Sequence, residues 1–489
     1  MHTPKAIVIG AGIAGIATAL RLRHKGYAVE VFEANPYTGG KLHAFESGGY
    51  RFDAGPSLFT MPQLVDELFQ LFGEDPRLHF PYIRKEKVCT YAWDDGTRFT
   101  VPSDPVDFIR DAAHTFGVEP EVLKRYLSNS REKYELTAPL FLERSLHRFK
   151  SYLDAAVPRA LMRMHKLDTS TTLDAVNRRF FQNPKLVQLF NRYATYNGSS
   201  PFRTPGIMSM IPHLEMHYGT FLPANGMHDI SQSLTRLAER NGVVFRLNEG
   251  VDEIIVRKNS ACGVRTRTGE HVADRVISNM DVLPTYRKLL SGENQPEAVL
   301  ARERSGSALI FYWGVRRVFP ELDLHNIFFS GDYAAEFDAQ FNGTLADDLT
   351  VYVNITSKDI PSDAPSGSEN WFVMVNAPSD TGQDWEKLRQ VAREAILRKL
   401  SYNLKADIAT LIEMEEVLDP TLIQLRTSSH QGSLYGTSSN SRFAAFLRHP
   451  NFSSRIRNLY FCGGSVHPGG GIPLCLHSAR IVADQIPTV

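Results

Sequence analysis

Apolar and polar positions change rhythm along this chain, and the changes mark out its elements before any chemistry is considered. Near the front, Ala6-Ile7-Val8-Ile9 is an unbroken apolar run, as in a strand buried on both faces of a parallel sheet. A helical pattern starts near Ile13, and Ala28–Phe32 reads as a second strand. Residues 227–256 repeat the alternation as helix, Asn-Gly turn, strand, sharp turn and strand. Residues 265–276 read as a hairpin and 276–279 as a returning strand. Residues 458–462 read as a last buried strand. Then comes a helix over 473–483, with Leu474, Leu476, Ala479, Ile481 and Val482 as apolar faces and Pro473 in its first turn. The clearest loop is DIPSDAPSGSEN, residues 359–370. Strands alternating with helices predict an α/β fold around a parallel sheet.

Length and charge narrow the class. At 489 residues the chain exceeds the size at which one core stops growing, so two or three domains are expected. With 43% hydrophobic and 22% charged residues, the composition is that of a globular protein. Lys plus Arg balances Asp plus Glu at 54 each, so the basic field that nucleic-acid binding needs is missing and no nucleic acid is expected as a partner. Cys89, Cys262, Cys462 and Cys475 are too scattered for a zinc pattern or a disulfide framework. They read as buried reduced thiols, which fits a cytoplasmic location and no metal. The apolar stretch 6–20 after Lys5 could pass for a secretory signal, but glycines at fixed spacing make it a strand, turn and helix. No other apolar run reaches about 18 residues, so no spanning helix is expected.

Those glycines carry the first chemistry. Gly10, Gly12 and Gly15 form G-x-G-x-x-G between a strand and a helix: a tight turn, a close approach for a pyrophosphate, and close helix packing. The helix starting at Ile13 and Ala14 offers its free amides to phosphate. Glu33 ends the second strand where a ribose-binding acid belongs, and its charge would repel a 2′-phosphate, which disfavours NADP. The fingerprint alone does not separate NAD from FAD.

The next residues do. NPYTGGKLHAFESGGYRFDAGPSLF follows Glu33 almost at once, and CGGSVHPGGGIPLCLHSARIVAD occupies 462–484. The first resembles the FAD-containing amine oxidase and carotenoid desaturase superfamily, with Lys41 where arginine is usual. Lysine keeps the cation and loses the planar fork. The second resembles the C-terminal signature of bacterial-type carotenoid desaturases. Residues 191–223 and 428–440 are most similar to the branch containing 1-hydroxycarotenoid 3,4-desaturases.

The resemblance implies a Rossmann-like two-dinucleotide-binding FAD fold with an interleaved α+β substrate domain. It places the FAD-binding domain at 1–77, 222–306 and 415–489, and the substrate domain at 78–221 and 307–414. It also implies FAD contacts at Gly40, Lys41, Gly55, Pro56, Ser57, Val251, Gly463, Gly464, Gly471, Ile472 and Pro473. The implied reaction introduces a C–C double bond into an acyclic carotenoid end, by hydride transfer to flavin N5 plus proton loss. Oxygen, a quinone or another acceptor would reoxidise the flavin. Related alternatives are a multistep phytoene or diapophytoene desaturase and a carotenoid oxygenase or isomerase. Outside carotenoids the alternative is an amine oxidase.

His213, Glu215 and His217 are the candidates for proton removal: on a strand they would share one face, and Glu215 in an apolar tunnel could act as base. His467 and His430 stand in loops they could simply hold. Residues 138–167 mix apolar residues with Arg144, Arg148, Lys150, Arg159, Arg163 and Lys166, a basic amphipathic pattern suited to a membrane surface. A water-insoluble substrate gives such a surface a purpose, and implies peripheral attachment to the inner face of the cell membrane.

Overall fold

Five parallel strands organise one half of the molecule in the computed structural model, which describes residues 3–148, 152, 163–441 and 448–489. Across the sheet they run Leu459–Phe461, Arg275–Ser278, Lys5–Ile9, Ala28–Phe32 and Val244–Arg246. Lys5–Ile9 is central, with Ile7 paired to Val276 on one side and Glu30 on the other. Both its faces are covered, which is why its sequence is continuously apolar. Helix Ile13–His24 packs between helices Asp229–Arg240 and Ile472–Gln485. It is buried from Ile13 to Leu22, joining Val8, Leu20, Leu234, Leu476 and Val482 in one core. The opposite side carries a three-stranded antiparallel sheet, Val251–Arg257, Ser260–Thr266 and Gly269–Val272. The hairpin expected at 265–276 is therefore displaced: its turn lies between Thr266 and Gly269, and Arg275–Ser278 belongs to the parallel sheet.

A seven-stranded sheet forms the second half, in the order Ile412–Leu418, Ser307–Val315, Glu369–Ala377, Val351–Ile355, His325–Phe328, Lys87–Ala92 and Arg98–Pro102. Every pairing is antiparallel except His325–Phe328 with Lys87–Ala92. Helix Trp385–Leu404 covers one face through Ile396 and Leu400, against Trp313, Val353 and Trp371. Helices Pro105–Phe116, Pro120–Thr137, Leu173–Phe180 and Pro184–Asn191 build an aromatic-rich core beside the sheet.

Two local expectations change. Residues 211–218 are helical, with Ile211–His213 running into a π-turn at Leu214–Tyr218, so the strand that would align His213, Glu215 and His217 does not form. Pro212 suits a helix start, Gly219 with φ of +87° ends it, and four-residue spacing stacks His213 on His217 at 4.6 Å. Within 138–167, helix Pro120–Thr137 continues into a π-turn at Ala138–Leu142, 143–148 is not helical, and Met164–Leu167 is a 3-10 turn. Residues 149–151 and 153–162 of that segment, with Lys150 and Arg159, lie outside the described residues. No described helix is long and apolar enough to cross a membrane.

Candidate functional site

Both glycine-rich stretches meet at one place. After Ile9 the chain turns through Gly10 at φ of +93°, and helix Ile13–His24 begins with Gly12 as its N-cap and no side-chain cap. Gly15 is required for packing: a Cβ there would lie 2.2 Å from the Gly10 carbonyl oxygen. The C-terminal helix Ile472–Gln485 likewise starts from a glycine, Gly471 at φ of +105°, without a side-chain cap. A Cβ on Gly471 would meet only open space, so the chain leaves room in front of this helix. Two uncapped helix N-termini therefore present amides and positive dipole ends to the same cavity.

That cavity has a volume of about 860 Å³. Its wall includes Gly10, Gly12, Ile13, Ala14, Glu33, Gly40, Lys41, Gly55, Pro56, Ser57, Val251, Gly463, Gly464, Gly471, Ile472 and Pro473, so the structure gathers these expected residues in one place. Gly15 stands behind the wall as a packing residue. Glu33 is buried and accepts from the Ala11 amide at 2.7 Å through one oxygen, and from the amide and side chain of Asn35 at 2.9 and 2.8 Å through the other. Lys41 donates to the carbonyls of Ser433 and Leu434 at 3.1 and 2.8 Å. Among the described residues no carboxylate forms an ion pair with it, and burial pushes its ammonium down to about 8. His43 and His477, on the same wall, each keep a buried Nδ1 without a partner.

This donor set fits FAD. Its pyrophosphate would find two free helix N-termini and an unneutralised lysine, and its ribose the carboxylate of Glu33.

The same cavity reaches the second sheet, where Met208, Met210, Leu214, Phe337 and Phe372 line it. Glu215 belongs to this wall, buried to 2% exposure. One oxygen accepts from the Tyr196 hydroxyl at 2.9 Å, and Arg192 Nη2 lies 3.3 and 3.4 Å from the two oxygens. Its carboxylate is thus held in a buried ion pair on a wall that is otherwise aliphatic and aromatic. His213 does not line the cavity. Residues two apart on a helix diverge by about 200°, so Glu215 turns inward while His213 stacks on His217, and burial pushes His213 down to about 4. His467 Nε2 donates to the Arg144 carbonyl at 2.7 Å and holds its loop.

Four residues on this wall escaped the sequence reading. Arg192 and Tyr196 sit in an aromatic run whose one buried cation was the available signal. His325 and Tyr352 come together through strand register, which leaves no local pattern. The basic face of 138–167 is partly consumed by the protein itself: Arg148 lies 3.8 Å over the Phe452 ring, while Lys166 and Arg163 pair with Glu132 at 2.7 and 3.6 Å.

Comparison with known proteins agrees with this geometry. The family model of flavin-containing amine oxidoreductases matches residues 13–487. A 1-hydroxycarotenoid 3,4-desaturase from Flavobacterium sp. (strain P99-3) is 57% identical over 484 residues, 99% of each chain. A phytoene desaturase from Fusarium fujikuroi is 31% identical over 509 residues, covering 98% of this chain and 88% of its own. The solved cyclohexylamine oxidase from Brevibacterium oxydans IH-35A superposes with a TM-score of 0.62 at 15% identity, over 99% of this chain and 98% of its own, and carries the fold alone.

Proposed function

The chain belongs to the flavin-containing amine oxidoreductase family and is an FAD-dependent oxidoreductase, and we propose that it desaturates the 3,4 bond of an acyclic carotenoid bearing a 1-hydroxyl end. The observation that carries this reading is one continuous cavity with two kinds of wall. Its glycine-lined side offers helix N-termini and Lys41; its other side is aromatic and aliphatic around Glu215. The relative that is 57% identical narrows the substrate.

Bound FAD supplies a two-electron acceptor for the hydride that the substrate loses. The chain does the rest. Lys41 and the two helix starts would hold the FAD phosphates. Met208, Met210, Leu214 and Phe372 keep water from the polyene and fix it in the cavity. Glu215 takes the second hydrogen as a proton at a carboxylate oxygen, and Arg192 with Tyr196 fixes the orientation of that carboxylate. Substrate arrives from lipid, and 138–167 is read as the contact with the inner membrane face, a reading supported by Phe141 and Leu142, near its start, lining the cavity. The reoxidant is oxygen, a quinone or another acceptor. The cofactor domain is read as 1–77, 222–306 and 415–489, although strand Ile412–Leu418 straddles residue 415.

The test uses purified holoenzyme and anionic liposomes carrying either phytoene or a 1-hydroxylated acyclic carotenoid. The reading expects enzyme to float with the liposomes at low salt and dissociate at high salt. It expects loss of two hydrogens and a red shift from the hydroxylated polyene alone. Stepwise dehydrogenation of phytoene would make it an early-pathway desaturase instead.

A further inference from the structure

On the described cavity wall six buried polar atoms have no partner: the Nδ1 atoms of His43 and His477, Gln340 Oε1, and a set of three, Arg192 Nε, His325 Nε2 and the Tyr333 hydroxyl. Natural proteins rarely leave such groups unsatisfied, because desolvation without a hydrogen bond costs stability. Arg192, His325 and Tyr333 are each at most 7% exposed. They line the same cavity, and the Arg192 charge bears on both His325 and Tyr333.

The protonation of His325 follows from its neighbours. Asn354 Nδ2 lies 3.3 Å from His325 Nδ1 and also donates to the Leu324 carbonyl at 2.9 Å. An amide nitrogen only donates, so Nδ1 accepts and the ring proton sits on Nε2. The Tyr352 hydroxyl adds a contact to Nδ1 at 2.7 Å and reaches Ser57 at 2.8 Å, tying the imidazole to the loop expected to hold the cofactor. Burial, then the charges of Lys85 and Arg192, push His325 down to about 3, so the ring is neutral.

Arg192, His325 and Tyr333 thus offer two N–H donors and one hydroxyl, which both donates and accepts. An alcohol oxygen is its complement, with two lone pairs for the N–H groups and one proton for the tyrosine oxygen. A carbonyl or an ether, with two lone pairs and no proton, cannot meet all three groups at once.

We propose that Arg192, His325 and Tyr333 form a specificity subsite that binds the tertiary hydroxyl at the end of the carotenoid, an inference that rests on the function proposed above. The chemistry places it well. The hydroxyl-bearing carbon is two carbon–carbon bonds from the nearer carbon of the new double bond, so anchor and proton acceptor must share one part of the cavity. Glu215 is tied to that part through Arg192.

The experiment compares kcat/KM for a 1-hydroxylated acyclic carotenoid and for the same polyene without the hydroxyl, in native holoenzyme, His325→Phe, His325→Gln and Tyr333→Phe. Dissociation constants for both polyenes, from quenching of tryptophan fluorescence in detergent micelles, give a readout independent of turnover. The proposal expects the hydroxyl preference to fall roughly tenfold in His325→Phe and Tyr333→Phe, as for one lost buried hydrogen bond. His325→Gln, which keeps an N–H donor, should recover part of it. Flavin absorbance reports folding; should His325→Phe lose flavin, Tyr333→Phe, which removes a single oxygen, decides alone. A preference unchanged within twofold, or equal losses on both polyenes, overturns the subsite and leaves the functional reading standing. A native enzyme inactive on the hydroxylated polyene overturns that reading and the subsite with it.

Discussion

Lys41 shows how much one side chain can report. Without a bound anion its ammonium sits at about 8, against 10.5 for an ordinary lysine, because burial outweighs the pull of Asp281 and Cys475. Of these neighbours, Asp281 is ion-paired with Arg304, and burial pushes Cys475 up to about 11. The sign follows from linkage. Between the two lysine values the unfolded chain holds a proton that the folded chain lacks, so the anion-free protein gains stability as pH rises through that window. A bound pyrophosphate requires the charge, so FAD affinity should be flat below pH 8 and fall by up to tenfold per unit above it. Flavin fluorescence titrations check this: Lys41→Met should bind more weakly and lose the slope, and a native slope that survives the substitution contradicts the assignment. Glu215 makes a different demand. Glu215→Gln should lower kcat by about a hundredfold or more with flavin retained. It should also cost about 3–5 kcal/mol in denaturant unfolding, because Arg192 loses its buried counter-charge. Unchanged turnover would remove Glu215 from the chemistry.

At the scale of elements, the cradle depends on how closely the first helix approaches its turn. Gly15→Ala places a methyl 2.2 Å from the Gly10 carbonyl oxygen, so the helix must move off the turn. An expected loss of about 1–3 kcal/mol should be accompanied by loss of bound flavin, measured as thermal unfolding and flavin content of the purified protein. Native-like flavin content would show that the close approach is dispensable. These elements were the legible part of the chain, for a physical reason. Strand, turn, helix and acid follow one another within Lys5 to Glu33, and Gly471 directly precedes its helix, so local pattern carries the geometry. Residues 211–218 were harder, because alternating polar residues suit a strand as well as two faces of a short helix. Pro212 and Gly219 decide for the helix.

At the scale of the molecule, function lies between two sheets that the chain crosses repeatedly. Ser307–Val315 is buried at every position, so no alternation revealed which face looked toward the cavity. His325 stands opposite Asn354 and diagonal to Tyr352 through the register of two antiparallel strands, while Arg192 and Tyr196 arrive from a separate helical segment. Such contacts follow from long-range pairing and could not be read from spacing. The central claim is that one cavity holds FAD beside a polyene and couples their oxidation states. The most direct measurement mixes holoenzyme with the 1-hydroxylated carotenoid under anaerobic conditions and follows flavin and polyene absorbance together. This account predicts bleaching of the flavin in step with a red-shifted polyene, one product per flavin. A polyene that changes while the flavin stays oxidised, or a flavin that does not respond, would contradict it.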